Sequence, residues 1–173
     1  TTDYIYNHEP EALQPVYNAM TMIGYDAITL GNHDFDYGYD YLVNQLETSG
    51  LEQSCVLSNV YSAADNKSIF GVENKIIEKN ITNDEGQVMT VKVGILGETV
   101  PSLSSKTEKY KGKLVTEDIL ENAKKQAAAL KKKGADIVIA LAHSGFGTDN
   151  PKKKAGDMAY MLTTVSDIDL VLA

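Results

Sequence analysis

The chain has 173 residues, enough for one compact domain with a core of its own, and at 43% hydrophobic and 23% charged it reads as globular rather than disordered. Its 24 acidic side chains outnumber 16 basic ones for a net charge of −8, and every base is Lys, because the sequence contains no Arg. That balance excludes a nucleic-acid polymer as partner, which would need a basic face, and removes the bidentate guanidinium clamp for phosphate. Any phosphate bound here has to be held by metals, backbone amides, His or Lys.

The single cysteine, Cys55, cannot form an internal disulfide and reads as a small buried hydrophobe. No apolar run approaches the 18 or so residues of a membrane span, and no signal peptide is visible. The sequence opens at "TTDY" without a Met, so this lack of a signal says little about secretion.

In chain order, "EPEALQPVYNAMTMIGY" has helical spacing through Leu13, Val16, Tyr17, Met20 and Ile23, with Gly24 as its stop. "DAITLG" follows as a short buried strand, and "YDYLVNQLETSG" is again helical, closing on Gly50. "CVLSNVY", "VENKIIEKNI" and "MTVKVGILGE" are β-branched, strand-like runs, the last two joined by a hairpin turn, "TNDEGQ". The clearest helix is "TEDILENAKKQAAALKKKGAD". It places Thr116 at the N-cap, Glu117 and Asp118 in the first turn, Lys131, Lys132 and Lys133 in the last, and Gly134 after them. "DIVIALAH" is a near-continuous apolar run of the kind buried on both faces of a sheet, "AGDMAYMLTTV" a short helix, and "IDLVLA" a last apolar strand. Strands alternating with helices predict an α/β layered fold, with a hairpin insert near 72–98.

Two of these strands run into a His. "DAITL" leads to Gly31-Asn32-His33-Asp34-Phe35-Asp36, and "DIVIALA" leads to His143-Ser144-Gly145. In a mostly parallel sheet both would lie at one carboxyl edge, where α/β proteins place their sites. Spacing alone leaves a second reading open, in which Asn32 and Asp34 make a turn and His143 ends a strand.

"GYDAITLGNHDFDYG" resembles the Gly-Asn-His-Asp/Glu block of the calcineurin-like metallophosphoesterases, and "IALAHSGFG" is similar to the next metal block of their 5′-nucleotidase and 2′,3′-cyclic-nucleotide phosphodiesterase branch. The resemblance extends over nearly the whole chain. The stretches "VPSLSSKTEKYKGKLVTEDILENA" and "AGDMAYMLTTVSDIDLVLA" look more like the cyclic-phosphodiesterase/3′-nucleotidase members.

The resemblance implies a layered β-sandwich flanked by helices. It also implies four roles: Asn32 and His143 as ligands of one metal, His33 as a non-ligand that stabilises or protonates the leaving oxygen, and Asp36 as the partner that orients His33. Several cyclic-phosphodiesterase relatives carry Asn at the position of Asp36. Asp34 would serve the turn. The residue types suit those roles. A neutral amide and an imidazole bind a divalent cation without adding negative charge against a phosphate, and an imidazole titrates close enough to neutrality to donate a proton there. The chemistry implied is hydrolysis of a nucleotide phosphate ester with two divalent ions (Zn, Mn or Fe) some 3.5–4 Å apart, which activate water and neutralise the phosphate oxygens.

The family's first metal block, its Gly-Asp block and its final Gly-His-x-His block have no match here. The chain is therefore expected to be a single domain over 1–173, the interior part of the catalytic domain. Alone it would hold at most one partial metal site and be inactive. The expected activity of the complete protein is that of a 2′,3′-cyclic-nucleotide 2′-phosphodiesterase/3′-nucleotidase. A 5′-nucleotidase or nucleotide-sugar hydrolase is the alternative, and a non-catalytic binding module the third reading. By the same resemblance the protein would be secreted, periplasmic or cell-wall associated.

Other features have plainer readings. The Lys triplets at 131–133 and 152–154 are solvated faces near helix ends, and most of the ten Tyr belong to core or half-buried positions. Tyr37 and Phe146, beside the motifs, are candidates to line a pocket. Ser144 reads as a strand-exit turn residue, since no His-Asp relay is spaced for it.

Overall fold

The structure, a computed structural model, describes residues 2–9, 11–103, 110, 112–147 and 157–173. The second Lys triplet lies outside the described residues. Helix α1 (Thr2–His8) precedes α2 (Pro15–Ile23), which opens on a proline that needs no N–H partner there; it closes on Gly24 in the left-handed conformation. A 3₁₀ turn (Asn32–Phe35) leads into α3 (Tyr39–Ser49). Then come β1 (Val60–Ser62), β2 (Asn74–Thr82), β3 (Val88–Thr99), β4 (Leu114–Thr116), α4 (Ile119–Lys132), β5 (Ile137–His143), α5 (Ala159–Leu162) and β6 (Leu170–Leu172).

These elements form a four-stranded sheet in the order β2-β3-β5-β6 and a two-stranded sheet pairing β1 with β4. β2 and β3 are antiparallel, with Ile81 opposite Met89, while β3–β5 and β5–β6 are parallel. The hairpin is therefore no insert. Its second strand is the centre of the main sheet, because the apolar half of that strand, Ile95 and Leu96, is buried while the half near the turn is exposed. The turn itself is as expected, with Asn83 Oδ1 accepting from the backbone of Glu85 and Gln87 at 3.1 and 2.8 Å.

Two hydrophobic clusters flank this frame. One gathers Tyr17, Leu30, Phe35, Leu42, Leu46, Cys55, Leu57 and Tyr110 around α2, α3 and the 3₁₀ turn. The other packs Ile119, Ala123, Ala127 and Leu130 of α4 on Leu96 of β3 and Val138, Ala140 and Ala142 of β5. Cys55 is fully buried, as its sequence context suggested, and burial pushes its thiol up to about 12.

Four local expectations change. "DAITLG" forms only an isolated parallel bridge, Ile28 to Cys55, held by Ile28 N–H to Ser54 O and Val56 N–H to Ile28 O at 2.8 Å each. Most of "CVLSNVY" is likewise bridge and crossing rather than strand, with β1 confined to its end. β5 is buried on its α4 face only, since Val138, Ala140 and Ala142 are covered while Ile137 is 41% exposed. The N-cap of α4 is Asp118, which accepts from Leu120 and Glu121 at 3.0 and 3.1 Å. Thr116 instead ends β4 and donates its hydroxyl to Pro101 O. The carboxylate two residues on reaches two of the free amides of the first turn, which satisfies more of the helix start.

The crossing segment 55–59 touches the sheet at Gly97. Ser58 N–H donates to Gly97 O at 2.6 Å and Gly97 N–H to Ser58 Oγ at 2.9 Å. A β-carbon on Gly97 would stand 2.0 Å from Val56 O, a backbone atom with nowhere to go. Gly97→Ala is accordingly expected to destabilise the domain by about 3 kcal/mol through overpacking, read as a shift in the urea unfolding midpoint. An unchanged midpoint would mean that this crossing is not tightly seated.

Candidate active site

The turn that leaves Leu30 and the end of β5 come from opposite ends of the chain, yet their polar residues meet. His143 Nε2 lies 3.0 Å from Asn32 Oδ1 across 111 residues of sequence. His33 Nδ1 lies 2.7 Å from Asp36 Oδ2 within the turn, and both side chains are well exposed. All four sequence-predicted positions therefore fall into two contacting pairs. His33, Asp36 and His143 line one cavity of about 370 Å³, together with Gly31, Asp34, Thr29, Tyr17, Tyr37 and Tyr41.

The pairs differ in what they can do. Asn32 and His143 offer an amide oxygen and an imidazole nitrogen, both uncharged donors of the kind a divalent ion accepts. Donors about 2.1 Å from one ion stand about 3.0 Å apart at right angles and about 3.4 Å apart in a tetrahedron, so this separation is compatible with a shared ion. These two residues are of the kind that fits two positions around one divalent ion. Among the described residues no group of three or more His, Cys, Asp or Glu is gathered to hold an ion. The second pair keeps its charge-assisted contact on the imidazole Nδ1. Asp36 accepts there, which leaves Nε2 as the nitrogen able to exchange a proton with a ligand in the cavity.

Local folding explains how the turn presents these groups. Asp34 Oδ2 accepts the Gly31 N–H at 2.7 Å, while Asp34 N–H reaches Gly31 O at 3.3 Å, so the carboxylate closes the 3₁₀ turn on itself. Phe35 is buried and anchors the turn edge-on against Phe70 and Tyr110, whose rings are 5.8 and 5.9 Å away. The burial pattern alternates as a consequence: Phe35 points into the core while His33 and Asp36 point out.

On the opposite strand the exit loop is fixed from the other side. Ser144 Oγ accepts from Met158 N–H at 2.8 Å, and Phe146 O accepts from Tyr160 N–H at 2.8 Å. Ser144 thus works as a turn and capping residue. Tyr37 does line the cavity, in contact with the rings of Tyr6 and Tyr41 at 4.5 and 5.8 Å. Phe146 does not; it is 72% exposed and leans on Tyr160. Lys131 and Lys133 are less free than solvated faces, because Lys131 pairs with Asp169 at 2.9 Å and Lys133 donates to Asn74 Oδ1 at 2.7 Å.

The residues that sequence reasoning missed are Tyr17, Thr29 and Tyr41. Thr29 lies inside the strand-like lead of the first block but carried no role there, Tyr41 belongs to no motif, and Tyr17 reads only as one more apolar position of an amphipathic helix.

No family model matches the chain. It is 33% identical over 161 residues to a protein of Salmonella typhimurium named 2′,3′-cyclic-nucleotide 2′-phosphodiesterase/3′-nucleotidase, which covers 92% of this chain and 24% of that protein. It is 32% identical over 134 residues to a 5′-nucleotidase of Vibrio cholerae, covering 76% of this chain and 22% of the relative. The chain thus spans about a quarter of the length of the curated relatives it matches. Among solved structures, the calcineurin-like phosphoesterase YfkN from Bacillus subtilis superposes with a TM-score of 0.86 at 28% identity, over 98% of this chain and 52% of that one. By homology across nearly its whole length and by fold, this chain belongs with the calcineurin-like phosphoesterases.

Proposed function

We propose that the full-length protein containing this chain hydrolyses nucleotide phosphate esters, with 2′,3′-cyclic nucleotides and 3′-nucleotides as its substrates. The observation that carries this reading is the meeting of Asn32 and His143 at 3.0 Å, with His143, His33 and Asp36 lining one cavity. The name of the Salmonella relative supports the substrate class. Asn32 and His143 would hold one divalent ion of a two-ion centre, whose bound ions supply charge neutralisation for the phosphate and an activated water.

The chain's own residues then divide the remaining work. His33, with its Nδ1 held by Asp36, delivers a proton through Nε2 to the oxygen that leaves phosphorus. Asp36 keeps the ring oriented and stabilises its protonated form. The rings of Tyr37 and Tyr41 line the same cavity. Within this chain, the absence of Arg leaves metals, backbone amides, His or Lys to carry the phosphate charge. Among the described residues no helix is long and apolar enough to cross a membrane; a secreted, periplasmic or cell-wall location, which the family resemblance implies, completes the reading.

The Vibrio relative's name favours a second reading, a 5′-nucleotidase. Purified full-length protein assayed with 2′,3′-cyclic AMP, 3′-AMP and 5′-AMP separates the two. Faster phosphate release from the first pair supports the proposal. Release from 5′-AMP alone replaces it with the second reading, and no metal-dependent release from any of them overturns both.

A further inference from the structure

We propose that Tyr17 and Asp34 are positioning residues that seat the Asn32–His143 pair, acting through the backbone of Gly31; the inference rests on the reading of that pair as a metal-binding couple. The geometry is a chain of short contacts. The Tyr17 hydroxyl of α2 donates to Asp34 Oδ1 at 2.9 Å, and Asp34 Oδ2 accepts the Gly31 N–H at 2.7 Å. A single carboxylate therefore joins the helix to the turn, using one oxygen for each. The next link is packing. A β-carbon on Gly31 would stand 2.7 Å from His143 Cε1 and 2.8 Å from its Nδ1, so the imidazole lies directly against the Gly31 backbone. Gly31 has ordinary extended dihedrals, φ −93° and ψ 171°, so the demand for glycine here comes from the ring and not from the backbone angle.

The last link is covalent. Asn32 follows Gly31, and its Oδ1 lies 3.0 Å from the Nε2 of the same ring. Whatever moves Gly31 thus moves one donor by the chain and the other by contact. The Tyr17 end of this relay is anchored, since its side chain is only 9% exposed and belongs to the core cluster around α2 and α3. Burial, and then the Asp34 charge, push the Tyr17 phenol further up from its ordinary value, so it stays a donor throughout the working pH range. A buried donor of this kind holds its acceptor in one place, which an exposed Lys partner would not, because ion pairs in solvent are loose. Groups that orient metal ligands from behind are worth about 10–100-fold in metal affinity where they have been removed.

The experiment uses the full-length protein with the ring protons of His143 and the side-chain amide of Asn32 assigned by NMR. The variants are Tyr17→Phe, Asp34→Ala and Asp34→Asn, and Mn²⁺ is titrated into each by calorimetry. Tyr17→Phe and Asp34→Ala are expected to move both sets of resonances in the metal-free protein and to weaken Mn²⁺ binding about tenfold.

Asp34→Asn is the rescue. Its oxygen still accepts from Gly31 and its amino group can donate to the Tyr17 hydroxyl oxygen, so both links survive without the charge. Resonances and affinity near wild type in Asp34→Asn support positioning. A loss in Asp34→Asn as large as in Asp34→Ala assigns the effect to charge and overturns the inference. So do unmoved His143 and Asn32 resonances in Tyr17→Phe, a variant that removes one oxygen and leaves the core packing in place. If the resonances move but the unsubstituted protein takes up no Mn²⁺, the positioning stands and the metal reading falls.

Discussion

In the full-length protein, His33→Ala is expected to lower kcat toward 2′,3′-cyclic AMP by about 10²–10⁴-fold, the range for loss of a positioned proton donor. KM should change little, because a proton delivered only as the bond breaks stabilises the transition state and not the bound substrate. The expectation follows from the leaving group. Opening a cyclic phosphodiester expels an alkoxide, and an alkoxide leaves slowly unless a proton arrives as the bond breaks.

A substrate whose leaving group is already stable as an anion needs no such proton. Bis(p-nitrophenyl) phosphate is therefore expected to show a much smaller deficit with the same variant. That contrast separates proton donation from a general loss of folding or of metal, either of which would depress both substrates alike. Equal losses on the two substrates would remove His33 from the proton-donor role. No loss on either would remove it from the site.

Asp36→Asn tests the partner within the same comparison. The contact at 2.7 Å from His33 Nδ1 is the one that orients the ring. Its removal should cost less than removal of His33 itself, since the imidazole remains.

The site was more legible in the sequence than its support was. "GNHDFD" and "ALAHSG" carry residue types that strand exits do not require, and their union across 111 positions is what the family resemblance implied. Tyr17 carried no such mark, and Gly31, though inside "GNHDFD", reads there as turn chemistry. Gly31 matters because a ring from the far end of the chain rests on it, and no local spacing encodes that approach. Tyr17 looked like core and is core; its hydroxyl happens to end at Asp34.

The fold shows the same division. Elements with local signals were found where expected: α2 with its Gly24 stop, α3 with Gly50, and the hairpin with Asn83 and Gly86. The errors concern placement between elements. "DAITLG" and "CVLSNVY" have strand-like composition, yet they touch through single bridges because the crossing at Gly97 interrupts regular pairing. Thr116 and Asp118 are both good caps by type, and only β4 pairing with β1 decides between them.

Glu98 is the residue whose setting the sequence hid most completely, and replacing it is expected to change how stability depends on pH. In "VGILGETV" it reads as an ordinary polar strand position, but it is fully buried, and among the described residues neither carboxyl oxygen has a hydrogen-bond partner. Its strand partner is Ala142, on the face that α4 covers. Burial, then the negative charges of Glu117 and Asp118, hold this carboxyl well above its ordinary value. Folding therefore favours the protonated form. Below the ordinary carboxylate value both states keep the proton and Glu98 costs nothing extra. As pH rises past it, the unfolded chain releases the proton while the folded chain retains it, and stability falls by up to about 1.4 kcal/mol per pH unit.

Glu98→Gln removes that titration and little else. The unfolding free energy of the unsubstituted domain, minus that of Glu98→Gln, should drop by up to about 3 kcal/mol between pH 5 and pH 7. Hydrogen exchange at the Leu96, Val138 and Ala140 amides reads it locally, since these lie in the strands packed beside the carboxyl. A difference that stays flat over this range would mean that Glu98 is solvated or paired after all. The consequence would reach the site, because Thr99, the next residue, is the strand partner of His143. Falling stability with rising pH raises the frequency of opening there, so protection of the Thr99 and His143 amides should decline with pH in the unsubstituted protein more steeply than in Glu98→Gln.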